Sequence, residues 1–325
     1  MTQTTTKIRS LIKFIVFICL SFLLLSAFLF HSLTKSKSGY GDYGINTPKY
    51  ILRGAKDFPS FDYSKYSVTQ YENVSIPSIP SSIHLSGWLI KSQLQNPSVI
   101  LVHGKDESKA NPKLLVIAGI LAKKNINVLM IDLRNHGKST ITNGRITLGS
   151  KEYLDILSAK KWLIRQNFSP DKIGIMGLSL GATTSLIAFS EDPDFRFLIL
   201  DSPFSDSIAM IESEINKRNI PNVFIAPSLW IGKHFFNTDL MEKSPMESIH
   251  QLIDRPILLM HSKNDPLIPF HHSKSIKKGI TFNPYLSTYF TNNKGHNTAI
   301  FSDPNQYEKK LVEFIKNNTP SFSNK

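Results

Sequence analysis

The stretch Gly177-Leu178-Ser179-Leu180-Gly181 places a serine where covalent chemistry is feasible. An apolar, β-branched run from residue 172 enters it and a helix-forming stretch leaves it, so Gly-x-Ser-x-Gly falls where a strand turns sharply into a helix. At such a turn Ser179 takes strained backbone angles that hold its hydroxyl clear of the chain. The flanking glycines remove Cβ atoms that would collide there. The following helix aims its free N–H groups at the same spot, where negative charge can be stabilised. Small-residue loops meet this pattern by chance, so its weight depends on the partners available to Ser179.

A serine hydroxyl is a poor nucleophile until a positioned imidazole takes its proton, and the imidazole needs a carboxylate to hold it. Open parallel sheets bind ligands at the carboxyl ends of their strands, so the relevant histidines, among ten, are those in loops just after strands. His296 meets this condition, in Asn293-Lys294-Gly295-His296-Asn297. His31, His84, His234 and His250 fall elsewhere, and His271-His272 reads as a helix start rather than a metal pair. For the acid, Asp265 follows a strand expected at residues 256–261; Asp201, which ends the preceding strand, is the alternative. The order Ser179, Asp265, His296 is the one this kind of sheet uses. A developing oxyanion also needs donors. The strand at residues 99–102 ends in His103-Gly104-Lys105, which brings the N–H of Lys105 near that of Leu180, with His103 shaping the loop. Gly137-Lys138-Ser139 mimics the end of a phosphate-binding loop, but Asp132 stands where its first glycine belongs.

Elements to position these residues follow from hydrophobic periodicity. Strands are expected at residues 66–74, 83–91, 99–102, 126–132, 197–201, 256–261 and 285–290 and in the run entering the Ser179 turn, and helices at 112–124, 151–167 and 304–317. Alternation of strand and helix implies right-handed crossovers and a doubly wound, mostly parallel α/β sheet covered on both faces. Between residues 205 and 250 the alternation breaks, yet the stretch is too apolar for a solvated loop, so a small helical cap is expected. Its apolar residues either shape a substrate pocket or dock the cap.

The chain has 325 residues, 41% of them hydrophobic, and a net charge of +13. Its lysines are scattered without interleaved aromatics, which argues against a nucleic-acid partner. Cys19 stands alone and excludes an intramolecular disulfide or a cysteine metal cluster. Residues 11–30 are apolar apart from Lys13, Ser21 and Ser26, long enough to cross a bilayer. A signal peptide is the competing reading, but the run exceeds its usual core and no good cleavage site follows. Lys7, Arg9 and Lys13 before the span, against Lys35 and Lys37 after it, favour an internal N-terminus and an extracytoplasmic remainder. The expected organisation is an anchor at residues 1–31, a tether at 32–60 and a catalytic domain at 61–325.

His103-Gly104, Asp132-x-Arg134-x-x-Gly137-x-Ser139, Gly177-x-Ser179-x-Gly181, Asp265 and Gly295-His296 together resemble the α/β-hydrolase superfamily, in its serine-aminopeptidase-like and lysophospholipase-like branch. The likeness covers roughly residues 60–317. It implies an oxyanion loop at His103-Gly104 and a nucleophile, acid and base at Ser179, Asp265 and His296. The departure is His261-Ser262, where the family commonly shows His-Gly. The expected activity is that of a membrane-anchored serine hydrolase acting on a small-molecule ester or lipid-like substrate, without metal or cofactor. A serine peptidase, with Glu212 and Glu214 binding an amine, and a non-catalytic surface protein on the same fold are the alternatives.

Overall fold

Short runs of Val, Ile, Leu and Met, nearly all buried, build the middle of an eight-stranded sheet. It is seen in a computed structural model that describes residues 2–37, 43–53, 58–252 and 254–319. The strands are β1 (Glu72–Pro77), β2 (His84–Ile90), β3 (Ser98–Val102), β4 (Asn127–Ile131), β5 (Ile173–Leu178), β6 (Leu198–Asp201), β7 (Ile257–Asn264) and β8 (Leu286–Lys294). They lie in the order β1-β2-β4-β3-β5-β6-β7-β8. The β1–β2 and β2–β4 pairs are antiparallel and the remainder parallel, which fits strands buried on both faces.

Successive side chains of a strand point to opposite faces, and the core divides accordingly. Val99, Leu101, Val128 and Met130 pack with α2 (Pro112–Lys123) and with Leu311 and Ile315 of α10 (Pro304–Asn317). Ile100, Val102, Leu129 and Ile131 pack with α3 (Tyr153–Arg165), α4 (Leu180–Glu191) and α8 (His271–Gly279). Helix starts are marked by proline in the first turn and a polar cap. Asn111 accepts from Lys113 N at 2.8 Å before Pro112, and Asp303 accepts from Gln306 N at 3.0 Å before Pro304.

The strand expected at residues 66–74 begins only at Glu72. Asp62 instead caps a 3₁₀ turn over Tyr63–Tyr66, and Phe61, Tyr63 and Phe301 pack edge to face around it. The alternation there reflects aromatic packing rather than a ladder. At the other side, β7 and β8 run beyond the expected 261 and 290, carrying the chain directly up to Asp265 and Gly295. Part of the stretch expected as a tether is fixed. Asn46 Oδ1 accepts from Leu52 N and Arg53 N at 2.9 Å each, Ile51 is buried, and Tyr43 and Phe58 pack against the core. Residues 38–42 and 54–57 of that stretch lie outside the described residues.

By contacts the chain divides into two compact units. Ser36–Ser207 with Met241–Lys325 holds the sheet, and Met1–Lys35 with Ile208–Leu240 forms the other. In the second, helix α1 (Thr2–Thr34) is long and apolar enough to cross a membrane over Thr6–Thr34. Only 6% of its most apolar window is buried, unlike the core helix of a soluble domain. The expected cap is helical, with α5 (Ser207–Asn216), α6 (Ile225–Phe235) and α7 (Pro245–Ile249). Several of its apolar residues find their partner in α1, which the sequence did not indicate: Phe224 stacks on Phe22 at 4.7 Å between centroids and Phe236 on Phe30 at 5.6 Å. A short helix, α9 (Ala299–Ser302), completes the sheet unit between β8 and α10.

Candidate active site

Strand β5 delivers Ser179 to the turn before α4, where its backbone sits at φ 56°, ψ −120°. A side chain at φ > 0 with a β-branched or polar Cβ is strained by roughly 1–3 kcal/mol, held only because the surroundings dictate it. Those surroundings are tight. A Cβ at Gly177 would lie 2.2 Å from Gly181 O, and one at Gly181 would lie 2.4 Å from both Val102 O and His103 O. The elbow therefore packs directly on the end of β3, and Ser179 N donates to Asp201 O at 2.9 Å on the neighbouring β6.

Packing of the elbow on β3 also brings in the Gly104 loop. A Cβ at Gly104 would lie 3.3 Å from that of Ser179. The Gly104 amide is occupied, donating to Glu107 Oε2 at 3.0 Å. Lys105 N–H has no acceptor among the described residues, and its ammonium pairs with Asp106 at 2.8 Å. Leu180 is the first residue of α4, and first-turn amides have no intrahelical acceptor. His103 lies against this loop as a fixed neutral ring. Its Nε2 accepts from Leu133 N at 3.0 Å, so its Nδ1 donates to Gly104 O at 2.7 Å, and burial pushes its pKa well below the ordinary value.

The loops after β7 and β8 bring Asp265 and His296 together. His296 Nδ1 stands 2.7 Å from Asp265 Oδ2, while its Nε2 is buried without a hydrogen-bond partner among the described residues. Asp265 Oδ1 accepts from Leu267 N at 2.8 Å and Ile268 N at 3.0 Å. Burial alone would raise the pKa of this carboxyl, but hydrogen bonds from His261 and His296 and the neighbouring imidazole outweigh it and hold it far below the carboxylate range. Asp265 is thus an ionised anchor for Nδ1–H. The His296 loop turns through Gly295 at φ 107° and Asn297 at φ 52°, and Lys113 Nζ holds His296 O at 2.9 Å.

The alternative acid, Asp201, faces other partners. Its Oδ1 accepts from Asn297 Nδ2 at 3.0 Å and its Oδ2 from the Tyr307 hydroxyl at 2.9 Å. Asn297, Tyr307, Lys113 and Glu107 escaped the sequence reading, since only the sheet brings them beside the motif residues. Ser262, at the departure from the family pattern, uses its hydroxyl to bond Asn293 O, stitching β7 to β8 below the two loops. Asp132 is structural, accepting from the amides of Lys109 and Lys138 at 2.7 and 2.9 Å, which removes the phosphate-loop reading of Gly137-Lys138-Ser139. His271 and His272 open α8. Glu214, one of the two candidate amine-binding carboxylates, is paired with Arg218 at 2.6 Å.

A serine on a strained elbow, an imidazole oriented by an ionised carboxylate and spare amides near the serine are the parts of acyl transfer. Comparison with known proteins agrees with that chemistry. Residues 112–319 match the model of the prolyl oligopeptidase family. The chain is 25% identical over 241 residues to an acyltransferase, drtE, of Aspergillus calidoustus, covering 71% of this chain and 76% of that protein. It is 25% identical over 205 residues to the esterase YjfP of Escherichia coli, covering 57% and 75%. The esterase Pf2001 of Pyrococcus furiosus superposes with a TM-score of 0.63 at 23% identity, over 82% of this chain and all of that one, a likeness of fold. The chain belongs to the prolyl oligopeptidase family, with the fold of the α/β hydrolases, and is a serine hydrolase.

Proposed function

We propose that the chain is a membrane-anchored hydrolase that cleaves carboxylic esters with an acyl or otherwise lipid-like portion through an acyl-enzyme. Ser179 Oγ attacks the ester carbonyl while His296 Nε2 takes its proton, and Asp265 holds Nδ1–H as the ring becomes charged. The N–H groups of Lys105 and Leu180 receive the oxyanion, a contribution of about 3–4 kcal/mol for such donors. Collapse returns the proton to the leaving alcohol and leaves the acyl group on Oγ. Water, deprotonated by the same Nε2, then releases the acid and restores the serine. The observation that carries this reading is the geometry of His296, with Nδ1 on Asp265 and Nε2 buried and unbonded. Helix α1 supports the anchor, and Lys7, Arg9 and Lys13 support an internal N-terminus with the catalytic domain outside.

Fluorophosphonate labelling tests the assignment. Ser179→Ala and His296→Ala should each abolish labelling while far-UV circular dichroism stays unchanged. Labelling that persists in Ser179→Ala would move the nucleophile, and absence of labelling in the unaltered chain would favour a non-catalytic protein. The family description favours a peptidase as the second reading. A panel of p-nitrophenyl esters of rising chain length beside aminoacyl anilides separates the two, with ester turnover expected to dominate.

A further inference from the structure

We infer that helix α6 enters one leaflet of the bilayer beside α1, with Val223, Ala226 and Trp230 against lipid. The inference rests on the reading of α1 as an uncleaved span. The uncharged apolar run of α1 is residues 14–30, which at about 1.5 Å per residue covers about 26 Å, no more than a hydrocarbon core of about 30 Å requires. None of that length is spare, so residues 22–30 lie within the bilayer if α1 spans it.

Those are the residues on which α6 and its entry turn pack. Phe224 stacks on Phe22, Ser228 Oγ donates to Ser26 O at 2.9 Å, and Gly232 lies against Phe30 so closely that a Cβ would be 2.1 Å from its ring. The contacts advance by four residues on each side, so the two segments run parallel and share the same depth. Ile225 to Gly232 of α6 cover about 12 Å, within one leaflet.

The contact has the chemistry that membrane helix pairs use. Small residues, Ser26, Ser228 and Gly232, let the backbones approach, and both serine hydroxyls are satisfied on carbonyls, Ser26 Oγ on Phe22 O at 2.8 Å. Past Phe30 and Gly232 both segments turn polar. Lys233 and Asp239 pair at 2.8 Å just beyond the Gly232–Phe30 contact, and Arg218 donates to Ser32 Oγ at 3.0 Å just beyond Phe30. On the hydrocarbon side of that level the α6 segment leaves Val223 64% and Trp230 54% exposed, and α1 leaves Leu24 71% and Phe28 67% exposed on its side away from α6. In water this much exposed apolar surface would be an aggregation liability, whereas in a leaflet it is the matching surface, with Trp230 suited to the interface.

The test uses the full chain carrying Cys19→Ser, with one new cysteine at a time in Leu24→Cys, Ala226→Cys and Phe282→Cys, the last at a 90% exposed position of the sheet unit. Each is labelled with bimane in vesicles of phosphatidylcholine and phosphatidylglycerol, then quenched by lipids brominated on their acyl chains or by aqueous iodide. The labels at positions 24 and 226 should lose most of their fluorescence to brominated lipid and resist iodide, and the label at 282 should do the reverse. Quenching by lipid at 24 with iodide access at 226 would overturn the α6 inference and leave the anchor standing. Iodide access at both, or a mature chain whose mass begins after residue 28, would remove the anchor and the inference with it. Shielding of position 226 from both quenchers would mean that another copy of the chain covers this face instead of lipid.

Discussion

Asn297 donates from Nδ2 to both the backbone carbonyl and Oδ1 of Asp201, at 3.0 Å each, so the residue next to His296 is bolted to the strand beside the elbow. Asp201 O also accepts from Ser179 N, which makes one residue a common reference for the Ser179 and His296 loops. Asp201 and Asn297 are positioning residues, and Asp265 touches the imidazole itself. Asp265→Asn should lower kcat by about four orders of magnitude, since it upsets the imidazole tautomer. Asn297→Ala should cost at most about a hundredfold, the scale of a displacement near 1 Å, with KM for a small ester unchanged. Asp201→Asn should cost less, because an amide can still bond Asn297 and Tyr307. Stopped-flow and steady-state kinetics on one ester measure all three, and Asp201→Asn exceeding Asp265→Asn would relocate the acid.

Strain at Ser179 should be visible in stability. With φ 56°, ψ −120°, the residue occupies a region that glycine enters freely. Ser179→Gly should therefore be more stable than Ser179→Ala, by about 1 kcal/mol after the greater chain entropy of glycine is allowed for. Thermal unfolding of the two inactive variants decides it, and equal or reversed melting temperatures would show that the elbow is not strained.

His272 predicts a pH dependence away from the site. Burial, with the neighbouring His271 adding to it against the pull of Asp206, pushes its pKa down to about 4, and its Nδ1 accepts from Ser205 N at 3.3 Å only while unprotonated. Its unfolded value is about 6.5, so the unfolded chain binds more protons below that pH and stability falls as pH drops. The contribution is complete above about pH 6.5 and disappears toward about pH 4. His272→Asn keeps an acceptor for Ser205 but does not titrate. Its deficit relative to the unaltered chain, read from urea unfolding, should be constant above that window and shrink within it. A deficit that stays constant down to the acid end would contradict the assignment.

Much of the sheet was legible because periodicity and burial coincide: runs such as Val99–Val102 are apolar at every position only when both faces are covered. Asp265 and His296 were legible as residues just after strands, a rule about where parallel sheets open, and they stand 2.7 Å apart. Asn297, Tyr307 and Glu107 were not, because an ordinary polar side chain carries no sign of which distant strand it will meet. The start of β1 was missed because aromatic residues serve packing and ladders equally well. Least legible was the pairing of α1 with α6. Apolar spacing says that a face is buried and is silent about its partner.

That pairing changes what removal of the N-terminal helix should do. From the sequence, deletion of residues 1–40 promises a soluble, active hydrolase, because nothing in the tether looks necessary to the core. In the structure, however, Phe22, Ser26 and Phe30 cover Phe224, Ser228, Gly232 and Phe236, and without α1 that surface joins the already exposed Val223, Trp230 and Phe235. Two newly uncovered phenylalanines are enough to drive association, at about 1.5–3 kcal/mol for each side chain that finds cover again. The chain lacking residues 1–35 should therefore elute as oligomers in detergent-free buffer and as a monomer in mild detergent. Adding Phe224→Ser and Phe236→Ser to the same deletion should shift it toward monomer without detergent, since both positions lie in the α1-facing unit and not in the sheet. Size-exclusion chromatography with light scattering reads the outcome. A monomeric deletion variant with unmodified Phe224 and Phe236 would mean that α1 is not what keeps this face covered.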